Sequence, residues 1–396
     1  MDWPRIFGPH ADATLPEEPL AAAASDEEWR IVWSHPLGEG YSGPSIQEGK
    51  ILLYHRVDDD EVLDCLDIET KKSLWQHKSP TQYEDQYGYN NGPRATPLID
   101  NGVVYALGAE GKLHAVRFKS GEVIWSRWIN RDYRVPQDFF GVAGSPLLVD
   151  ESIILNVGGP GAGVVAINRN TGASIWGLAD DGPSYATPVS AVIHGRKMAF
   201  VFTKAGLVAV DLGEGKLLWS IPFRSRLFES VNASTPIVVN DIVLVSATYG
   251  TGSLAVRIKP DGGYDELWRS ERSLDSHFSN LIAADGIVYG FAGRHESDCE
   301  LRAIEIETGK VRWSVPSVLG RGSMLKVGSQ FILWGERGHL LIRQLRPDAP
   351  PELPEDPRQV RSLLTYPCWT PPALSGGILY LRNERRIIGV DLTPSE

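Results

Sequence analysis

A chain of 396 residues with 22% charged and 42% hydrophobic side chains has an ordinary globular composition, and none of its apolar runs approaches the roughly 18 residues of a membrane-spanning helix. Its 50 acidic and 39 basic residues leave a formal net charge of −11 with no basic stripe, which argues against nucleic-acid binding. Cys65, Cys299 and Cys368 lie far apart, which argues against a disulfide scaffold or a cysteine-type zinc site and predicts free thiols.

The chain opens on Met1-Asp2-Trp3-Pro4, without a basic stretch or an apolar core of export-leader type. As written it is expected in the cytoplasm, and in the periplasm if a leader precedes this sequence. Residues 1–28 are expected to form an extension packed on a single domain over 29–396. An isolated strand, Trp29 to Trp33, follows.

From there one pattern recurs: an apolar strand, a turn, an alternating strand, a Thr-Gly-like turn, and a strand carrying Trp. Clear copies run from Lys112 to Trp125, Gly163 to Trp176, Gly206 to Trp219 and Glu300 to Trp313, with weaker ones ending at Trp75 and Trp268. Four short strands per unit of about 40–50 residues is the signature of a propeller blade. Each unit opens on a Ser/Thr-Pro-like step, at Gly43-Pro44, Thr96-Pro97, Ser145-Pro146, Thr187-Pro188, Thr235-Pro236, Asn280-Leu281, Ser323-Met324 and Thr370-Pro371. Eight openings predict an all-β, eight-bladed propeller of four-stranded antiparallel blades. The last unit stops after Leu392 without its Trp strand, so Trp29 to Trp33 is predicted to close that blade and remove its open edge. Trp33, Trp75, Trp125, Trp176, Trp219, Trp268 and Trp313 are read as structural rings covering the next blade. In the seventh unit the acidic, proline-rich 347–357 replaces the Trp strand, and proline cannot join a ladder. It is expected to be an extended surface loop.

Antiparallel blades put the connections into each inner strand, and the turns between second and third strands, at one end of the channel. The connections bring Tyr41, Arg94, Phe139, Phe140, Tyr185, Asn232, His277, Phe278, Arg321 and Trp369 to that mouth. The turns bring Glu110, Lys204, Tyr249, Arg294, His295, Glu336, Arg337, Glu384 and Arg385. Two connections are long, 76–95 and 126–144, and the first carries Tyr83, Tyr87, Tyr89, Asn90 and Asn91. Long loops on a rigid scaffold are where binding concentrates. The binding candidates are Tyr41, Tyr89, Arg94, Phe140, Tyr185, Asn232, Tyr249, His277, Glu336, Arg337, Trp369 and Arg385. This mixture suits a polar small molecule, a glycan, or a protein or peptide. The acidic run Asp58 to Glu61 is read as a solvated turn with calcium binding as its alternative. Gly158 to Gly163 lies between two strands and opens no helix, so it lacks a phosphate-cradle geometry.

The motif Asp-x-x-Thr-Gly-x-x-x-Trp resembles the tryptophan-docking repeat of quinoprotein-type propellers, over essentially all of residues 29–392. That superfamily holds pyrroloquinoline-quinone-dependent alcohol dehydrogenases and the non-catalytic BamB-like family. The chain is also similar to small planctomycete-type proteins with quinone-type repeats, at Trp3-Pro4-Arg5-Ile6-Phe7-Gly8-Pro9, Gly92 to Pro97, Tyr249 to Gly252 and Cys368-Trp369-Thr370. The resemblance implies the fold and leaves activity open. The dehydrogenases are longer and commonly carry adjacent cysteines, which this chain lacks. The expectation is therefore a monomeric, non-enzymatic binding or scaffold propeller with no cofactor, no metal and no catalytic residue. The alternative is an enzyme, either a quinone oxidoreductase with calcium or a carbohydrate-active hydrolase or lyase using His277.

Overall fold

The computed structural model describes residues 1–16, 20, 29–136 and 140–393. Phe139 and most of 17–28 therefore lie outside the described residues. Eight four-stranded sheets follow one another around a channel. Blade one is representative: Ser45–Gln47 is innermost, followed outward by Lys50–Val57, Asp60–Asp67 and Ser73–Pro80. The two middle strands are nearly all buried, and the outer strand alternates exposed and half-buried residues. That pattern follows from sheets buried on both faces between neighbouring blades and wet only at the rim.

The tryptophans sit at a recurring irregularity. Trp75, Trp125, Trp176, Trp219, Trp268, Trp313 and Trp33 stand opposite Cys65, Ala115, Ala166, Ala209, Ala255, Ala303 and Gly389, and the register slips beside each pair. A bulge re-aims a side chain, and the small residue opposite leaves room for the ring. Indole N–H groups then reach the next blade: Trp75 donates to the Phe118 carbonyl (2.9 Å), Trp125 to Arg169 (3.0 Å), Trp219 to Gly262 (3.0 Å), Trp268 to Ile306 (2.8 Å) and Trp313 to Arg346 (2.7 Å). The turn glycine of the next blade serves the same contact. Gly121 and Gly172 have φ of 71°, and a Cβ there would lie 2.5 Å from Trp75 and 2.8 Å from Trp125. Left-handed φ and the ring overhead both require glycine at this place. Burying about 150–250 Å² of ring at ~25 cal/mol per Å² contributes at most roughly 4–6 kcal/mol per tryptophan.

Closure occurs at blade eight. Its three C-terminal strands, Ala373–Ser375, Ile378–Arg382 and Arg386–Asp391, gain Arg30–Pro36 as the outer antiparallel strand. Trp33 then donates its N–H to the Ile68 carbonyl of blade one at 3.0 Å, so the last blade is tied to the first by the same contact as the others.

Blade seven differs from expectation in its fourth strand. Gly322–Val327, Gln330–Gly335 and Leu340–Gln344 are antiparallel, but the fourth strand is Thr14–Leu15, which runs parallel on the inner side. Among the described residues no outer strand is paired there. The proline-rich stretch stays out of the ladder, as expected of proline, yet it is anchored: Val360 is buried and the Glu352 carbonyl accepts from Arg343 Nε at 3.0 Å.

The N-terminal segment lies across the inner strands at the end opposite the mouth. Trp3 exchanges two backbone hydrogen bonds of 2.8 Å with Ile46 of blade one, and the Pro4 carbonyl accepts from Ile99 of blade two. The Ala13 and Leu15 carbonyls accept from Lys326 and Gly328 of blade seven. Trp3 is 2% exposed and belongs to a core shared with Ile46, Leu325 and Tyr380.

Candidate functional site

At the mouth, separate connections are pulled together by backbone and buried side chains. Gly92 is one such point: a Cβ there would lie 2.0 Å from the Glu39 carbonyl oxygen, so only glycine permits this approach of two connections. Arg382, fully buried, donates to the carbonyls of Gly40 (2.6 Å), Ser42 (2.7 Å) and Asn383 (3.1 Å). Burial pulls its guanidinium down to about 10, still charged at neutral pH. The Thr370 hydroxyl donates to the Tyr41 carbonyl (2.7 Å), and the Cys368 N–H donates to the Glu336 carbonyl (2.8 Å).

These anchors place Trp369 at the centre of a continuous set of rings. Its centroid lies 5.2 Å from Tyr41, 5.8 Å from Tyr89, 5.9 Å from Phe278 and 5.7 Å from Tyr366. One arm continues from Tyr89 to Phe140 (5.9 Å) and Tyr185 (5.5 Å). The other continues from Phe278 to His277 and Tyr249, each step 5.4 Å. Three arginines lie over ring faces: Arg94 over Tyr83 (5.2 Å), Arg294 over Tyr249 (4.4 Å) and Arg321 over Phe278 (5.1 Å). Tyr89 is 54% exposed, with Tyr87 and Tyr366 also exposed.

Two ion pairs adjoin the rings. Glu336, 1% exposed, accepts from Arg321 Nη2 (2.6 Å) and from the Trp369 indole (3.0 Å). Burial pushes its carboxyl up, but these donors outweigh it and hold it below the usual range. Arg94 donates to Asp85 at 2.6 Å and to the Asn90 and Gly92 carbonyls. Burial, the Tyr41 bond to Glu384 (2.6 Å) and that carboxylate's charge push the Tyr41 hydroxyl far up. His277 lies between the Tyr249 hydroxyl (Nε2, 3.1 Å) and Arg321 (Nδ1, 3.4 Å). Burial, then the charges of Arg321 and Arg294, pull it down to about 3, so it is neutral.

Of the candidate residues, Tyr41, Tyr89, Arg94, Phe140, Tyr185, Tyr249, His277, Glu336 and Trp369 converge on this assembly. Three stand apart. Asn232 is buried, and its amide donates to the carbonyls of Thr203 (2.9 Å), Phe223 and Lys204. Arg337 is paired with Glu296 and lies 5.8 Å over Tyr366 at the rim. Arg385 contributes backbone contacts, to Asn383 Oδ1 (3.0 Å) and from the Leu37 N–H (2.7 Å). Asp85 and Tyr366 were not anticipated; their signal was adjacency to the aromatic loop and to Cys368-Trp369. The Asp58 to Glu61 run does not converge: Asp59 faces solvent, whereas Glu61 turns inward to the Tyr54 hydroxyl (2.8 Å) and the Ala109 N–H (2.7 Å). Among the described residues no group of three His, Cys, Asp or Glu side chains is placed to hold a metal, and no helix is long and apolar enough to cross a membrane.

Beside the ring assembly, over blades two and three, lies a cavity of about 480 Å³. It is walled by the two long connections, and sequence reasoning did not anticipate its Trp128, Asn130, Arg131 and Arg134. Trp128 ends an outer strand, Asn130 and Arg131 lie in a single helical turn, Ile129–Asp132, and Arg134 follows it, with no repeat pattern to mark them.

The chain is 26% identical over 245 residues to the outer membrane protein assembly factor BamB of Yersinia pestis, covering 59% of this chain and 55% of that one. It thus spans about half the length of the curated relatives it matches. Among solved structures, BamB from Moraxella catarrhalis superposes with a TM-score of 0.64 at 16% identity, covering 93% of this chain and 99% of that one. The quinohemoprotein alcohol dehydrogenase of Comamonas testosteroni superposes with 0.65 at 12% identity, covering 100% and 81%. At these identities both likenesses show the fold alone. The family model for the outer membrane protein assembly factor BamB matches residues 16–135 and 132–315. With most of its blades inside that match, the chain belongs to the BamB family of quinone-type repeat propellers.

Proposed function

We propose that this propeller is a non-enzymatic scaffold that binds a protein partner on the ring assembly at its mouth. The observation that carries this reading is the unbroken run from Tyr249 through Trp369 to Tyr185, flanked by arginines and exposed at Tyr89 and Tyr366, with Tyr87 exposed beside it. Tyrosine, tryptophan and arginine dominate the energetics of protein interfaces because they bury large areas with few rotors and retain a polar end. Leu227 and Phe228, the latter 79% exposed, extend the apolar surface in the loop whose Ser225 hydroxyl donates to the Tyr249 carbonyl.

The polar chemistry supports binding over catalysis. Calcium takes about six to eight oxygen ligands. Here Glu336 and Asp85 are already committed to Arg321 and Arg94, so this donor set does not fit a calcium-held quinone. His277 contacts a tyrosine and an arginine and no carboxylate, which leaves it without the partner a general base needs. Matching relatives named for outer membrane protein assembly favour the periplasmic one of the two expected locations.

The test is site-specific photocrosslinking in cells. A crosslinker at Tyr89 should yield one discrete protein adduct that Trp369→Ala abolishes, and the same group at Val192, exposed at the other end, should not. Equal adducts from both positions, or dye-linked turnover of an alcohol after addition of the quinone and calcium, would overturn the reading.

A further inference from the structure

We infer that the cavity over blades two and three binds a ligand combining a free carboxylate with an apolar body, the chemistry of a peptide carboxy-terminus. The cavity lies beside the ring assembly and shares Tyr83 with it, but Arg131, Arg134 and the valines of its wall play no part in the reading above.

Its charge balance comes first. Among the described residues one carboxylate lines it, Glu110, which keeps its charge while Oε2 accepts from the neutral Thr81 hydroxyl (2.7 Å) and Gln82 N–H (3.0 Å). Asp132, nearby in the helical turn, is paired with Arg127 at 2.6 Å. Arg131 and Arg134 both line the cavity, and neither has a carboxylate partner among the described residues. Two guanidinium groups against one carboxylate leave the described lining net positive in a chain of net charge −11, which selects an anion. Arg131 is held by Trp128, its guanidinium 3.8 Å from the ring centroid. Arg134 adopts a left-handed φ of 54°, strained for a residue with a side chain. That conformation is fixed by the Val135 N–H donating to the Asn130 carbonyl at 2.8 Å.

The rest of the lining restricts the anion. Val135, Val142 and Val157 form an apolar wall, which suits a hydrocarbon side chain and gives nothing to a bare phosphate. Asn156 lines the same cavity and is 7% exposed. Its Nδ2 donates to Ser184 Oγ (2.7 Å) and to the Phe202 and Ala186 carbonyls, which fixes the amide orientation. A carboxylate borne next to an apolar side chain describes the last residue of a polypeptide.

Calorimetric titration of the full chain with acetyl-Gly-Leu, its carboxamide, glucuronic acid and inorganic phosphate tests this. The free acid should bind at least about tenfold more tightly than the carboxamide. Arg131→Gln and Arg134→Gln should each weaken the acid by about tenfold and leave the melting temperature unchanged, because both side chains are exposed. Tyr89→Ala should change neither value, which separates this site from the ring assembly. Equal binding of acid and carboxamide, or no binding of the acid up to about 10 mM, would overturn the inference. Glucuronic acid or phosphate binding as tightly as the dipeptide would overturn the peptide assignment.

Discussion

The two ends of the central channel are bounded by the same eight inner strands and are filled in opposite ways. At one end a continuous segment, Trp3 to Leu15, lies against the inner strands through paired backbone hydrogen bonds and a buried tryptophan. At the mouth the filling is side chains from several connections, touching ring to ring and interleaved with arginine–carboxylate pairs. Backbone pairing occupies polar groups of the segment within the fold itself. Ring contacts between independently anchored loops leave faces and edges uncovered. One end belongs to the folding unit, and the other is a surface held in shape.

The sharpest way to break this contrast is Trp3→Ala. A buried tryptophan truncated to alanine costs about 3–5 kcal/mol, so thermal unfolding should shift strongly while the Tyr89 crosslink survives in the folded fraction. A small shift would make the N-terminal segment an accessory.

Glu336→Ala is the corresponding experiment at the mouth. It strands Arg321 without its buried partner, which costs about 3 kcal/mol, and it frees the Trp369 indole. Chemical denaturation should show the loss, and the crosslink should fall with it. Because Glu336 titrates below its usual range, its contribution is present above the unfolded pKa and is lost as pH falls through the depressed folded value.

Histidines give a smaller effect with the same sign. Burial holds His277 and His114 down to about 3 and His55 to about 4. Between those values and the unfolded pKa near 6.5, the unfolded chain binds the protons. Stability therefore falls as pH drops from about 6.5, by about 1 kcal/mol per pH unit for each histidine. His277→Gln should flatten the mouth's share of that slope in denaturant titrations at pH 7 and 5. An unchanged slope would show that the His277 ring takes up a proton in place.

The smallest stability effect should accompany a large functional one. Tyr89→Ala, at an exposed ring, should alter stability by no more than about 0.5 kcal/mol and remove the partner adduct. If it destabilised the fold as much as Glu336→Ala, the rings would be packing and the contrast between the ends would fail.

Much of this architecture was legible in the chain. The eight openings mark each blade, and the Trp strands mark seven of them, because one local motif must meet the same kind of neighbour around the ring. The closing strand was legible too, since Trp33 without a preceding unit matched a last unit without its Trp. At the mouth, Trp369, Tyr41 and His277 were found because topology delivers the residues before each inner strand to one end, and Tyr89 because it lies in a long connection at that end. Asn232 has the same address and is spent on backbone carbonyls, since position in a repeat does not say which way an amide turns. Arg131 and Arg134 carried no marker, because a cavity between two irregular connections has no period.

By itself, then, the sequence determined the blade, the number of blades and the end at which the connections gather. These are consequences of alternation and of glycine and proline at turns, which act within a few residues. Only the tertiary structure decided which carboxylate neutralises which arginine, that Thr14–Leu15 joins blade seven from inside, and that Trp3 lies against blade one. Each of these joins residues far apart in sequence, and packing and charge select such pairs only when all eight blades are in place.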